Sequence, residues 1–189
     1  MYYMLKCHSP FETQPSLLDY NPDRLSDGFL RGWKTGKRFL QSPVEPISIQ
    51  IDEGESGVLL EYYDATVALM STRLAKVLTD TGVSNIDFYK AEIHDLETGE
   101  MHRDRLAFNL IGAIAAADFA KSKFQADDGY LISVDFDSLA IDDAKTRGAL
   151  MFRLAESVNG VVVHETVKAA IEAAGINTLT FIPPEEWVG

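Results

Sequence analysis

Cysteine is almost absent: Cys7 is the only one in 189 residues. No disulfide can form within the chain, which fits a reducing compartment and leaves stability to burial. Long apolar runs are missing as well. The longest, Leu110 to Ala117, is far too short for a bilayer span, and the opening MYYMLKCHSP has neither the basic region nor the apolar stretch of a signal peptide. These absences predict a cytoplasmic protein with no membrane attachment. Catalytic signatures are missing too. His164-Glu165 is followed by lysine at 168, so the zinc pattern His-Glu-x-x-His is not there. Gly28, Gly32 and Gly36 lack the Lys-Ser/Thr ending of a phosphate loop. Asp135 and Asp137 would require a third oxygen ligand and a glycine where Leu139 and Ala140 stand. His8, His94 and His102 are scattered. The reading is no metal, no cofactor, no catalytic residue and no enzyme, with a small bacterial enzyme of unidentified activity as the alternative, since function does not follow from a missing motif.

What is present is ordinary globular material. Apolar residues make up 46% and charged residues 24%, which excludes disorder, and the length suits one domain over residues 1–189. The net charge of −12 is unevenly distributed: residues 51–100 hold eleven acidic and three basic side chains, whereas residues 1–50 hold five and six. Such a chain repels nucleic acid and attracts a basic partner. One stretch opposes this trend. In residues 28–39, Arg31, Lys34, Lys37 and Arg38 interleave with Phe29, Trp33 and Phe39; we read these as cations lying around buried aromatics rather than as a nucleic-acid surface.

The densest structural signal lies between Lys145 and Ile182. Met151, Phe152 and Leu154 face Val161, Val162 and Val163 across a segment containing Asn159-Gly160, a hairpin signature. From Glu165 the period becomes helical, with Val167, Ala170, Ile171 and Ala174 on one face and Gly175 as terminator. Leu179, Phe181 and Ile182 resume strand spacing before Pro183-Pro184. Elsewhere, strands are predicted at Tyr2–Leu5, at Ile47, Ile49 and Ile51, at Val58–Leu60, at Ile86–Ile93, near Arg105–Ile114 and at Tyr130–Val134, with a polar loop over Pro10–Asp27. Ser71 is placed to cap a helix carrying Leu74, Val77 and Leu78, which Gly82 ends. The helix-glycine-strand order around Gly82 and Gly175 repeats, which we read as similar local geometry. The fold class is α+β: a mixed, largely antiparallel sheet with two main helices packed on it.

Five stretches carry a resemblance: Trp33-x-x-Gly36, Ser71-Thr72-Arg73-Leu74, Gly82-Val83-Ser84-Asn85-Ile86, Asn109-Leu110-Ile111-Gly112 and the run from Gly148 to Glu165. In their order they make the chain resemble the bacterial immunity-protein family Imm11, typified by a myxobacterial immunity protein. The resemblance implies a cytoplasmic protein encoded beside a polymorphic toxin, which it binds and neutralises, and it brings no catalytic residues. The charge pattern then predicts a basic toxin steered by exposed acidic turns bearing Asp52, Glu53, Glu55, Asp95, Glu97 and Glu100.

Overall fold

The computed structural model describes residues 1–7, 17–20, 32–51, 57–64, 67–125, 134–157 and 159–189. Its architecture is α+β, but the strands form three sheets instead of the one expected. The first holds five strands in the order β14-β1-β13-β12-β9. These are β1 (Tyr2–Cys7), β9 (Ala113–Ile114), β12 (Met151–Leu154), β13 (Val161–His164) and β14 (Leu179–Ile182). The second holds seven, with the path β2-β3-β6-β8-β5-β4: β2 (Leu17–Tyr20), β3 (Ile47–Ile51), β4 (Tyr62–Tyr63), β5 (Leu69–Ser71), β6 (Ile86–Asp95) and β8 (Arg105–Leu110), with β7 (Met101–His102) also on β6. A small third sheet pairs β10 (Lys123–Gln125) with β11 (Asp135–Ser138). Pairing is antiparallel except for β3 on β6 and β9 on β12.

Two features divide the expected single sheet. The predicted strand from Arg105 to Ile114 ends at Leu110, and Gly112, at φ +103°, turns the chain out of the seven-stranded sheet into β9 of the five-stranded one. The predicted strand at Val58–Leu60 does not form. The carbonyls of Leu59 and Leu60 instead accept hydrogen bonds from the Arg105 guanidinium, at 3.0 and 3.1 Å. These carbonyls are thus satisfied by a side chain rather than by a neighbouring strand. The Tyr130–Val134 expectation lies outside the described residues up to Val134, as does most of Pro10–Asp27.

Three α-helices are described: α1 (Thr72–Asp80), α2 (Asp143–Thr146) and α3 (Glu165–Ala173). The Ser71 hydroxyl caps α1 by accepting from the Leu74 amide at 2.9 Å, satisfying one of the free N–H groups of the first turn. His164 does the same for α3 through Nδ1 and the Thr166 amide at 3.3 Å. Both helices end in one pattern. Gly82 N–H donates to Thr79 and Val83 N–H to Leu78; Gly175 N–H donates to Glu172 and Ile176 N–H to Ile171. Each is a Schellman closure, with the glycine in the left-handed region at φ +96° and +70°. The repeat read in the sequence is therefore a shared helix terminus.

Alternation along the strands sorts the apolar side chains into three clusters. Met151, Val161 and Val163 join Leu74, Leu78, Val167, Ile171, Met70 and Phe108 in one. The opposite faces of β12 and β13, Phe152, Leu154 and Val162, join Tyr2, Met4, Phe136 and Trp187 in another. Ile47, Ile49, Ile51, Leu69 and Ile93 surround Trp33 in the third. Adjacent strand residues point to opposite faces, so four consecutive buried positions at Met151–Leu154 require cover on both faces. Position 153 on that strand is an arginine.

Candidate functional site

Of the six acidic residues expected at the partner surface, Asp52, Glu53 and Glu55 lie outside the described residues. Glu97 and Glu100 are exposed in the turn between β6 and β7. Asp95 corrects the expectation. It is only 6% exposed, and its Oδ1 accepts from the Glu97 and Thr98 amides at 2.9 and 3.0 Å. Its backbone N–H meets the Glu100 carbonyl, while its carbonyl meets the Gly99 amide. An aspartate that organises its own turn in this way, with Gly99 at φ +72°, holds Glu97 and Glu100 outward without facing solvent itself.

The basic-aromatic stretch resolves into core and rim. Trp33 is 1% exposed and packs edge-on against Phe39 and Tyr89, with ring centroids 4.8 and 5.8 Å away. Arg38 pairs with Asp87 at 3.1 Å, and the Lys37 carbonyl accepts from the Asn109 side chain. Phe29 and Arg31 lie outside the described residues.

A hollow that the sequence did not announce opens where the ends of β1 and β4 meet the loop at Asn159. Its volume is about 470 Å³, and Lys6, Cys7, Lys34, Tyr62, Asp64 and Asn159 line it. Behind Asp64 stands Arg153, wholly buried. Its two terminal nitrogens reach Asp64 Oδ2 and Oδ1 at 3.1 and 2.8 Å, a two-point pairing that compensates the carboxylate. Residue period explains its place: Arg153 shares a strand face with Met151, so it can only point inward, and a buried charge requires a partner. Arginine within an otherwise apolar strand was the available signal. The separation of Asp64 by 89 positions hid the other half of the pair.

The hydroxyl of Tyr62 is buried with no hydrogen-bond partner among the described residues, and burial, then the nearby Asp64 charge, push its pKa well above the usual phenol range. Burial also pushes the Cys7 thiol up to about 11, against a lowering contribution from the Tyr62 amide hydrogen bond. A thiol so shifted is neutral at physiological pH and a poor nucleophile. Among the described residues, no three His, Cys, Asp or Glu side chains gather as a metal site, and no helix is long and apolar enough to cross a membrane.

Comparison with protein-family models matches residues 8–186 to the Immunity protein family (Imm11). Comparison with curated proteins finds no match.

Proposed function

The chain belongs to the Immunity protein family (Imm11), and from that premise we propose that it acts by stoichiometric binding to a cognate toxin encoded nearby, neutralising it in the cytoplasm of the producing cell. The observation that carries this reading is the family match from residue 8 to residue 186, which runs through both large sheets and all three described α-helices. We take the whole chain as one domain. Its action is binding rather than turnover, so the protein is consumed one for one as toxin is inactivated.

Charge supports a basic toxin. The chain carries a net −12, and the turn at Glu97 and Glu100 is exposed. The proposed surface extends through Asp52, Glu53 and Glu55. Exposed charges accelerate encounter more than they tighten the final complex, and they are screened over about 8 Å at physiological ionic strength. Stopped-flow association with the product of the adjacent gene tests this directly. Association should slow as salt rises, and replacing Asp52, Glu53, Glu55, Glu97 and Glu100 by their amides should remove most of that salt dependence. An association rate indifferent to both would make the acidic residues a solubility feature.

A further inference from the structure

We propose that the hollow between Lys6, Lys34 and Tyr62 receives an anionic group, in the form of an acidic side chain of the toxin. The inference rests on the toxin-binding reading for the source of that group. The chemistry of the site stands on its own geometry.

The lining is rich in donors and poor in acceptors. Lys6 and Lys34 are lining residues, and Lys34 Nζ donates to Asn159 Oδ1 at 3.3 Å, leaving the Asn159 Nδ2 as a further donor. Tyr63 accepts from the Leu60 amide through its hydroxyl oxygen, so its own proton is still available. On the acceptor side stand Asp64 and the Cys7 sulfur. Asp64 is engaged by both terminal nitrogens of Arg153, and the thiol is uncharged at physiological pH. Among the described residues lining the hollow are two lysines and one carboxylate, Asp64, which Arg153 already neutralises, in a chain whose net charge is −12. Lys6, Lys34, the Asn159 amide and the Tyr63 hydroxyl are four donor groups around a concave site of this size, which call for a ligand that accepts hydrogen bonds and bears negative charge.

The Tyr62 hydroxyl supplies an independent observation. Tyr62 is 3% exposed, and its oxygen has no partner among the described residues. Phenylalanine would fill the same space beside Phe108, whose ring centroid lies 5.5 Å away, without burying an unsatisfied group. A polar group retained at a cost to the fold and placed in the wall of a donor-rich hollow is accounted for by a partner that arrives on binding.

The test uses the full chain with two variants, Tyr62→Phe and the double change Lys6→Gln with Lys34→Gln. Three probes are used: glutarate, inorganic phosphate and the toxin from the adjacent gene. Glutarate should shift the backbone amide signals of Lys6, Cys7, Tyr62 and Asn159, and the double variant should abolish those shifts. Toxin affinity should fall about tenfold in Tyr62→Phe, the loss of one hydrogen bond to a charged group, and further in the double variant, while Tyr62→Phe melts no lower than the unaltered protein. Amides that ignore both small anions, together with unchanged toxin affinity in both variants, overturn the proposal. Small-anion shifts with unchanged toxin affinity assign the hollow to a free anion and overturn the toxin as its source. If the toxin does not bind the unaltered protein but glutarate still shifts those amides, the toxin-binding reading fails and the anion site stands. A lower melting temperature in Tyr62→Phe shows that the hydroxyl serves the fold and removes that leg of the argument.

Discussion

Gly36 and Gly99 share a backbone conformation, at φ +69° and +72°, but differ in what surrounds them, so together they separate strain from contact. An alanine at Gly99 would find nothing within 4 Å among the described residues. Its cost is the left-handed conformation alone, about 1–2 kcal/mol. At Gly36 the added Cβ would sit 2.8 Å from the Ala113 backbone nitrogen and 3.1 Å from the Gly112 carbonyl carbon. Neither is the end of a side chain that can swing away. The same segment carries buried Trp33, and the Gly36 carbonyl accepts the Gly112 amide at 2.8 Å, at the point where the chain passes from β8 to β9. Relieving the clash would disturb that crossing, an overpacking cost of about 1–3 kcal/mol. Gly36→Ala should therefore destabilise by about 2–5 kcal/mol and Gly99→Ala by about 1–2 kcal/mol. Urea unfolding at neutral pH reads the difference as a shift in midpoint at a common slope. Equal shifts for the two variants would refute the claim that Gly36 is needed for close approach.

Other substitutions probe different parts of the account. Ile171→Ala, at a position with no exposed surface, should cost about 2–5 kcal/mol in the same unfolding assay, and an unchanged midpoint would mean that this face of α3 is not core. Asp64→Asn leaves the wholly buried Arg153 without its counter-charge and should cost about 3 kcal/mol, whereas Asp64→Asn combined with Arg153→Met should recover most of the loss; a double variant as unstable as the single would show that charge is not the cause. For Cys7, the folded-state pKa of about 11 lies above the ordinary value of 9.0. The unfolded thiol therefore ionises first, and this contribution is fully present below pH 9 and lost as pH rises towards 11. Cys7→Ser should flatten the decline of stability across that window, and an unchanged profile would place the thiol in water.

Local signals in the chain were legible because their causes are local. Ser71 before Leu74, the period of Val167 and Ile171, and the glycines at 82 and 175 each act within a few residues, and each appears in the structure where spacing put it. The hairpin of β12 and β13 was also readable, although its connection runs from 155 to 160, and Gly160 lies outside the left-handed region that a tight Asn-Gly turn demands. Gly160 instead allows close packing, with Met4 Cε and the Trp187 ring 3.0 and 3.2 Å from the place a Cβ would take. What spacing did not reveal depends on distant partners. Val58–Leu60 reads as a strand until Arg105 takes its carbonyls, and Asp95 reads as surface charge until its own turn closes over it. The hollow at Lys6 unites residues from β1, from the segment around Lys34, from β4 and from the Asn159 loop. No window of sequence contains that set.

Neutralisation by one-to-one binding has a stoichiometric signature. Purified protein titrated into a fixed amount of the adjacent-gene toxin, with toxin activity followed at each addition, tests it most directly. One-to-one binding predicts a linear fall in activity to an end point at one equivalent, independent of incubation time once mixing is complete. Progressive inactivation by a small fraction of an equivalent would contradict it and identify the protein as an enzyme, and full toxin activity at several equivalents would contradict the pairing itself.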